Sequence, residues 1–340
     1  MRAGRSRAGG GEGEGGGGSA GGGGGAPRGL SPRGPRSRGP RPSAPLEAPV
    51  PPALFLAEYQ RLTERMGRCL REYLGDPGRA QTRDLRASVR RFEAAVRVLP
   101  KRAREEKKMR RCRKRCRALL RATSRLRDVD VLTERFSRYP GDAMVGLVVA
   151  NLGEERTEFV GDSTRAAWAL FEQQPPVLSR RDLRSLGRRF EAVVEELEGD
   201  VQRGVRASVE DESRVDELHA LRKDCKRLRY TLELVPAGPR ASRLVRVLQR
   251  WQDALGEIRD LDVALEYLAR AKQTAGVRRA LAAERALRHE RYLAFVRMSR
   301  KDGRRRRAKG RVRDEKEPGL ARPPLPPSSS SPSPGLPPRA

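Results

Sequence analysis

The sequence has few residues of the types that bind transition metals or form disulfide frameworks. Its 340 residues include 4 cysteines and 2 histidines, and no Cys-x-x-Cys pair occurs. A structural zinc site draws its ligands from such residues at close spacing, so zinc binding is not expected. The cysteines are Cys69, Cys112, Cys116 and Cys225. We interpret them as reduced thiols, as in proteins of a reducing cytoplasm.

Long apolar stretches and common catalytic motifs are also missing. No run of about 18 apolar residues occurs, and no short apolar segment lies near the N-terminus, so neither a membrane span nor a signal peptide is expected. The sequence contains no P-loop, no Gly-x-Ser-x-Gly motif and no His-Glu-x-x-His motif. We therefore expect a cytoplasmic protein that is not an enzyme and that needs neither a cofactor nor a metal.

Acidic and aromatic residues are scarce relative to basic ones. Lysine and arginine number 74 against 44 aspartates and glutamates, which gives a formal charge of +30. Residues 1–50 carry +5 and residues 300–340 carry +8, which leaves +17 for residues 51–299. A folded region of that charge is expected to bind a polyanion. Aromatic residues make up only 4% of the chain. Single-stranded nucleic acid is usually bound with aromatic stacking, so a polyanion without bases is favoured.

The segment 218–234 carries an apolar stripe and a cationic stripe side by side. Apolar residues recur at helical spacing from Leu218 to Leu232. The neighbouring stripe holds no acid and consists of His219, Arg222, Lys226 and Arg229, with Arg227 on the far side of the apolar stripe. Cations one helical turn apart repel each other, so such a line beside a core indicates an anion-binding surface.

A second copy of this pattern occurs earlier in the chain. At an offset of 136 residues, the cationic positions are taken by Arg83, Arg86, Arg90 and Arg91. The block Arg127-Asp-Val-Asp-Val likewise matches Arg259-Asp-Leu-Asp-Val at an offset of 132. Two linked repeats at nearly the same offset indicate an internal duplication.

The second copy resembles the CHAD family, the conserved-histidine α-helical domains. The family pattern is His-x-x-Arg-x-x-x-Lys/Arg-Arg-x-Arg-Tyr, followed by Leu-x-x-Leu-Gln-x-x-Leu-Gly-x-x-Arg-Asp-x-Asp-Val. The matching positions in this chain are His219, Arg222, Lys226, Arg227, Arg229, Tyr230, Leu248, Gln252, Leu255, Gly256, Arg259, Asp260, Asp262 and Val263. In the first copy, Arg83 replaces the histidine, Glu93 stands at the position of Arg229, and Ser124 stands at the position of Gly256.

The resemblance covers roughly residues 53–299 and implies an all-α fold. It predicts two pseudo-symmetric four-helix bundles with a basic central groove, in a domain over 51–299 with halves at about 53–174 and 177–299. The Gly/Arg/Pro-rich tail 1–50 and the basic, then Pro/Ser-rich tail 300–340 are expected to be disordered. Helical periodicity predicts eight helices, at about 53–74, 83–99, 102–139, 152–173, 179–205, 214–235, 240–270 and 276–298.

Alternatives remain open for several features. The basic segment 107–117 is compatible either with a channel lining or with projection into solvent. His219 either donates to phosphate or forms a hydrogen bond near a helix start. The Asp-x-Asp pairs at 128/130 and 260/262 fit metal or acid–base chemistry less well than structural ion pairs, because residues two apart face different sides of a helix. Gly256 is expected to permit close helix packing, and Trp168 is expected in the core.

We predict a non-enzymatic protein that binds inorganic polyphosphate, the ligand class associated with the family. The alternative is a basic helical protein associated with RNA or DNA. Polyphosphate offers only charge and geometry, which the planar guanidinium group of arginine suits. The expected location is the cytoplasm, with association with polyphosphate granules. The expected binding residues are His219, Arg222, Lys226, Arg227, Arg229, Arg83, Arg86, Arg90, Arg91, Arg127 and Arg259.

Overall fold

The computed structural model describes residues 50–139, 143–235 and 238–314, with side chains to residue 304 apart from those of 143 and 144. Within these ranges all regular structure is helical and no strand occurs, which confirms the all-α prediction. The elements are α1 (Pro52–Gly75), α2 (Arg79–Val98), α3 (Lys101–Glu105), α4 (Lys107–Phe136), α5 (Ala143–Phe171), a 3₁₀ turn (Arg180–Leu183), α6 (Leu186–Ser208), α7 (Val215–Leu232), α8 (Pro239–Arg270) and α9 (Ala275–Asp314).

The helices pack in an order that is used twice. In the first bundle α1 packs on α2, α2 on α4 and α4 on α5, and in the second bundle α6 packs on α7, α7 on α8 and α8 on α9. The two bundles meet where α2 contacts α6 and α7, where α4 contacts α8, and where α5 contacts α9. The helices that carry the duplicated motifs, α2 and α4 with α7 and α8, therefore face one another at the centre.

Two apolar clusters hold the bundles together. The larger one runs through both bundles and includes the fully buried aromatic rings of Phe55, Phe92, Phe190 and Phe295. The smaller one lies among α4, α5, α8 and α9 and includes the buried Phe136. Because apolar side chains of both bundles share these clusters, the central cationic helices are set into a continuous hydrophobic framework.

The predicted third helix is interrupted near its start. It is divided into α3 and α4 at Glu106, whose carboxylate accepts hydrogen bonds from the backbone N–H groups of Lys108 at 3.0 Å and Met109 at 3.2 Å. A carboxylate in that position satisfies N–H groups that have no partner within the helix, and so it begins a new helix. The structure also begins α5 at Ala143, nine residues before the predicted start at 152.

The prediction that Trp168 belongs to the core is wrong. Trp168 is 50% exposed, whereas its neighbours Ala167 and Leu170 are buried. These smaller residues occupy the inward face of α5, and Trp168 lies about 100° round the helix from Ala167. Its ring instead packs edge-on against Phe171, with ring centroids 5.7 Å apart.

The last helix extends beyond its predicted end at about residue 298. Residue Asp302 is buried and accepts hydrogen bonds from Arg250 at 3.2 Å and from the indole nitrogen of Trp251 at 3.0 Å. These contacts fix α9 past the predicted boundary, and α9 continues to Asp314, the last described residue, so the prediction of disorder from residue 300 is wrong for 300–314. The rest of the predicted C-terminal tail and residues 1–49 of the predicted N-terminal tail lie outside the described residues. In the described part of the chain, no helix combines the length and apolar character that crossing a membrane would require.

Candidate functional site

Each duplicated Arg-Asp-x-Asp motif is anchored by an arginine from the next helix. Arg156 on α5 donates from Nε to Asp130 at 2.8 Å and from Nη2 to the carbonyl of Pro77 at 3.0 Å. Arg288 on α9 repeats both contacts, to Asp262 at 2.9 Å and to the carbonyl of Glu212 at 3.1 Å. These aspartates are therefore ion-pair partners, as predicted.

Neither anchoring arginine is among the functional residues predicted from the sequence. Arg156 and Arg288 are separated by the same 132 residues as the two Arg-Asp-x-Asp motifs. That shared offset was the available signal. The duplication therefore extends into α5 and α9, where no similarity had been noticed.

The first aspartates of the motifs meet at the boundary between the bundles. Arg127 on α4 donates to its neighbour Asp128 at 3.0 Å and also to Asp260 on α8. Burial lowers the pKa of the Arg127 guanidinium, but Asp260 and Asp128 together outweigh that effect and raise it above its usual value. Among the described residues, no group of three or more histidine, cysteine, aspartate or glutamate side chains could hold a metal ion.

Seven basic side chains from four helices lie close enough to influence one another electrostatically at the centre of the molecule. We call this set the central cation cluster. It comprises Arg86 and Arg90 of α2, Arg127 of α4, His219, Arg222 and Lys226 of α7, and Arg259 of α8. The carboxylates that oppose them are those of Asp128 and Asp260, together with that of Glu93 near Arg90. The structure thus brings together seven of the eleven predicted binding residues.

The pKa values of the cluster show how unfavourable its positive charge is. Burial, followed by the charges of Arg222, Arg90, Arg127 and Arg86, lowers the pKa of the Lys226 ammonium to about 6. Burial together with neighbouring cations also lowers the pKa of His219 to about 4, of Arg222 to about 10 and of Arg86 to about 9. Desolvation and like charges both disfavour the protonated forms, and a bound anion would reverse the second effect.

Two buried nitrogen atoms of the cluster, Nδ1 of His219 and Nε of Arg222, have no hydrogen-bond partner among the described residues. The same holds for Oε1 of Gln252 on the facing helix α8. Buried N–H groups are almost always paired in folded proteins. The unpaired groups of His219 and Arg222 lie on the stripe for which the sequence predicted anion binding.

Gly256 lies against the side chain of Arg222 rather than against a neighbouring backbone. A Cβ atom at this position would lie 3.6 Å from Nε and 3.7 Å from Nη2 of Arg222, with no backbone atom of another helix among its nearest contacts. The expectation that Gly256 serves close helix packing is therefore corrected. The Arg222 guanidinium lies against α8 at this position, at a distance where a Cβ atom would make ordinary van der Waals contact.

Arg86 is held in place by two hydrogen bonds to α4. It is buried, and its Nη1 donates to the carbonyl oxygen of Leu120 at 2.9 Å and to Oγ1 of Thr123 at 2.6 Å. These contacts fix the guanidinium of α2 against α4. Arg86 therefore positions charge at the centre and also joins two helices of the first bundle.

The structure places four predicted binding residues outside the cluster. Arg83 is exposed and lies 3.5 Å from Asp84, and Arg227 is exposed and donates to Asp224 at 2.7 Å. Arg91 and Arg229 both lie near Glu233, at 3.6 Å and 3.1 Å. Each of these four arginines therefore has an acidic neighbour, and Arg91 and Arg229 share the same one.

Arg91 and Arg229 share an aromatic neighbour as well as a carboxylate. Their guanidinium carbons lie 4.9 Å and 4.6 Å from the ring centroid of Tyr230, which is buried. Cation–π contacts of this kind favour a fixed arrangement. The arrangement joins α2 to α7 and does not belong to the central cation cluster.

The basic start of α4 fits both of the alternatives left open by the sequence. Met109, Cys112 and Cys116 form a fully buried side of this segment. Cys69 and Cys225 are buried elsewhere, and all four cysteines are free thiols. Arg113 is half-buried, and most of the remaining cations of this segment are exposed. Arg113 and Arg117 lie near Glu93, whose pKa is raised by burial against their opposing effect. One edge of the segment thus approaches the centre while the rest faces solvent.

Comparison with known proteins identifies the architecture. The model of the CHAD domain family matches residues 60–269, and no match was found among curated proteins. The fold is similar to that in the crystal structure of the CHAD domain from the plant Ricinus communis, with 16% identity and a TM-score of 0.54. That similarity covers 75% of this chain and 93% of the plant domain. The family model spans more than half of the chain, so the chain belongs to the CHAD domain family.

Proposed function

We propose that the chain binds inorganic polyphosphate in the central cation cluster and does not catalyse its turnover. The observation that carries this proposal is the concentration of seven basic side chains around only three carboxylates, with buried nitrogen atoms of His219 and Arg222 that have no partner among the described residues. Such an arrangement costs free energy in the absence of an anion. A chain of phosphates supplies both the negative charge and the hydrogen-bond acceptors.

The position of Tyr230 favours polyphosphate over single-stranded nucleic acid. Binding of single strands usually adds base stacking on aromatic rings, worth about 1–3 kcal/mol per base. Tyr230 is the only aromatic residue of α7, and it is buried against Arg91 and Arg229. Its ring is therefore not free for a base. A polyanion recognised through charge alone fits the cluster better than the alternative of RNA or DNA.

The absence of catalysis is supported by how the acidic side chains are used. Asp130 and Asp262 pair with Arg156 and Arg288, and Asp128 and Asp260 share Arg127. Carboxylates engaged in this way keep cations in place and are poor candidates for general bases. We therefore propose a binding protein of the cytoplasm, with association with polyphosphate granules as the expected setting.

The experiment that tests the proposal compares two charge-matched double variants. In Arg222→Gln/Lys226→Gln, two cluster cations are lost. In the control Arg83→Gln/Arg285→Gln, two exposed arginines outside the cluster are lost. Each charge-assisted hydrogen bond is worth about 1.5–3 kcal/mol, so the cluster variant should bind a short polyphosphate at least about a hundredfold more weakly.

Binding measured by calorimetry, together with circular dichroism to check folding, distinguishes the outcomes. The control should retain wild-type affinity within about threefold, because exposed charges contribute little individually. Equal affinity of the folded cluster variant and the control would reject the central cation cluster as the binding site. Phosphate release from polyphosphate in the presence of magnesium, lost in the cluster variant, would reject the non-enzymatic part.

A further inference from the structure

The exposed side of α4 carries a dense set of cations with few acidic neighbours. From Lys107 to Arg127 the sequence contains no acidic residue. We define the α4 basic face as seven of its exposed cations, Lys107, Arg110, Arg111, Lys114, Arg115, Arg117 and Arg121. No ion pair to any of them occurs within the described residues. At a rise of about 1.5 Å per residue, the face is about 21 Å long.

Such a face is unusual for a helix surface that only contacts water. Exposed helices usually alternate acids and bases three or four residues apart, because like charges at that spacing are destabilising. Other exposed arginines of this chain follow that pattern, such as Arg165 with Asp162 and Arg203 with Asp200. The α4 basic face departs from it over four helical turns, although the buried side of the same helix is ordinary core.

The α4 basic face is connected to the central cation cluster through Glu93. Burial raises the pKa of the Glu93 carboxyl group on α2, and three nearby arginines oppose that effect. They are Arg117 and Arg113 at the edge of the face and Arg90, a cluster member. Burial, followed by the charges of Arg117, Arg104 and Arg97, lowers the pKa of Arg113. A continuous series of positive side chains therefore runs from the centre of the molecule to its surface, with Glu93 as the acidic group at the junction.

We infer that the polyphosphate path extends from the central cation cluster past Glu93 onto the α4 basic face, so that the protein binds long chains in two sections. The inference rests on the proposed function. The half-buried cluster holds a few phosphates, and a longer chain that leaves it meets the exposed cations of α4. A chain too short to pass Glu93 makes only the central contacts.

The face itself is suited to an unstructured polyanion. It contains no aromatic residue, so it offers no stacking platform for bases. The large exposed apolar side chains of the described residues, such as Leu147 and Trp168, lie outside α4, so the face has no apolar anchor for a lipid surface. A linear chain of phosphates requires neither of these features.

The test uses the full chain and polyphosphates of two lengths, about ten and about a hundred phosphates. For each length, the affinity of the variant is divided by that of the wild type. The variant Arg110→Gln/Lys114→Gln/Arg121→Gln removes three charges from the α4 basic face. The control Arg285→Gln/Arg297→Gln/Arg300→Gln removes three exposed charges from α9. Glutamine preserves helix propensity in both variants.

The α4 variant should bind the long chain roughly tenfold more weakly, because each of the three exposed charges contributes only modestly to the binding free energy. Its slope of log affinity against log salt for the long chain should decrease by about 2 to 3, as expected when three phosphate contacts are lost. Affinity for the short chain should be unchanged, and the α9 control should match the wild type at both lengths.

Three results would overturn the inference. The first is an unchanged affinity of the α4 variant for the long chain. The second is an equal loss in the α9 control, which would indicate only a general charge effect. The third is a loss of duplex RNA binding with unchanged long-chain affinity, which would assign the face to nucleic acid. Failure of the proposed function is distinct, because the wild-type protein would then fail to bind even the short chain.

Discussion

Arg127 of α4 donates a hydrogen bond to the carboxylate of Asp260 on α8, so that one bundle supplies the cation and the other the acid. The pair joins the two copies of the duplicated motif at the edge of the central cation cluster. Asp260 also raises the pKa of Arg222, against the burial and neighbouring cations that lower it. One carboxylate thus partly neutralises two of the side chains proposed to bind phosphate.

Replacing that carboxylate should strengthen polyphosphate binding. Asp260→Asn removes one negative charge but keeps a hydrogen-bond acceptor for Arg127, so the cluster becomes more positive. We expect polyphosphate affinity to rise about threefold to tenfold, and the ligand-free protein to become less stable as repulsion grows. Calorimetric titration and thermal unfolding measure the two effects. Asp253→Asn on the exposed side of α8 is the control, and weaker binding of Asp260→Asn would contradict the account.

Removing the charge of Lys226 should stabilise the ligand-free protein. Its pKa of about 6 in the folded state is well below the value of about 10.4 in an unfolded chain, so folding releases a proton between these pH values. The penalty is greatest below about pH 6 and disappears above about pH 10.4. Lys226→Met should therefore raise the melting temperature most at low pH, by about 2–4 °C for each kcal/mol relieved.

The neighbouring Lys223 provides the matched control for this prediction. Lys223 is exposed, so Lys223→Met should leave the melting temperature nearly unchanged. Lys226→Met should also weaken polyphosphate binding. A ligand-free Lys226→Met protein that melts below the wild type at about pH 6 would show that Lys226 is not under electrostatic stress.

Polyphosphate binding should be accompanied by proton uptake. A bound polyanion raises the pKa values of Lys226 and His219, which are about 6 and about 4 in its absence. Affinity should therefore increase as the pH falls from about 8 towards about 6, because the protonated form of Lys226 binds the anion better. Calorimetry in buffers of different ionisation enthalpy measures the protons taken up. Lys226→Arg should remove most of this dependence, and proton release on binding would contradict the prediction.

Breaking the duplicated anchor should destabilise the second bundle more than the first. The side chains of Arg288 and Asp262 are each 9% exposed, whereas Arg156 is 28% exposed against Asp130 at 9%. Removing one partner of a buried pair leaves an uncompensated charge and costs about 3–5 kcal/mol. We expect Arg288→Met to approach this range in urea unfolding and Arg156→Met to cost less. Equal small effects would mean that neither arginine anchors its motif.

The sequence was most informative where a residue's role follows from its position on a helix. The apolar stripe from Leu218 to Leu232 is buried along α7, and the duplication correctly placed α2 opposite α7. Of the cationic positions, His219, Arg222 and Lys226 lie on the face that meets the other bundle. Their helical spacing predicts this position, because each of the three directly follows a residue of the apolar stripe. Each therefore lies about 100° round the helix from that stripe.

Contacts between side chains of different helices were not predictable in this way. Arg229 follows the same stripe as Arg222, yet it lies against Tyr230 and pairs with Glu233. The capping by Glu106 that divides α3 from α4 also lacked a visible signal, because the surrounding residues are uniformly good helix formers. Periodicity specifies which side of a helix is buried, but the ion pairs depend on what the facing helix presents.

The most direct test of the central claim is competition between polyphosphate and RNA for the full chain. Labelled polyphosphate is displaced by unlabelled polyphosphate or by single-stranded RNA of equal charge, over a series of salt concentrations. The account predicts that polyphosphate binds more tightly throughout and remains bound at about 0.15 M salt. It also predicts that the Arg222→Gln/Lys226→Gln variant loses this preference. Equal binding of both polymers, fading together as salt increases, would show that the basic surface is a general polyanion binder and would contradict the account.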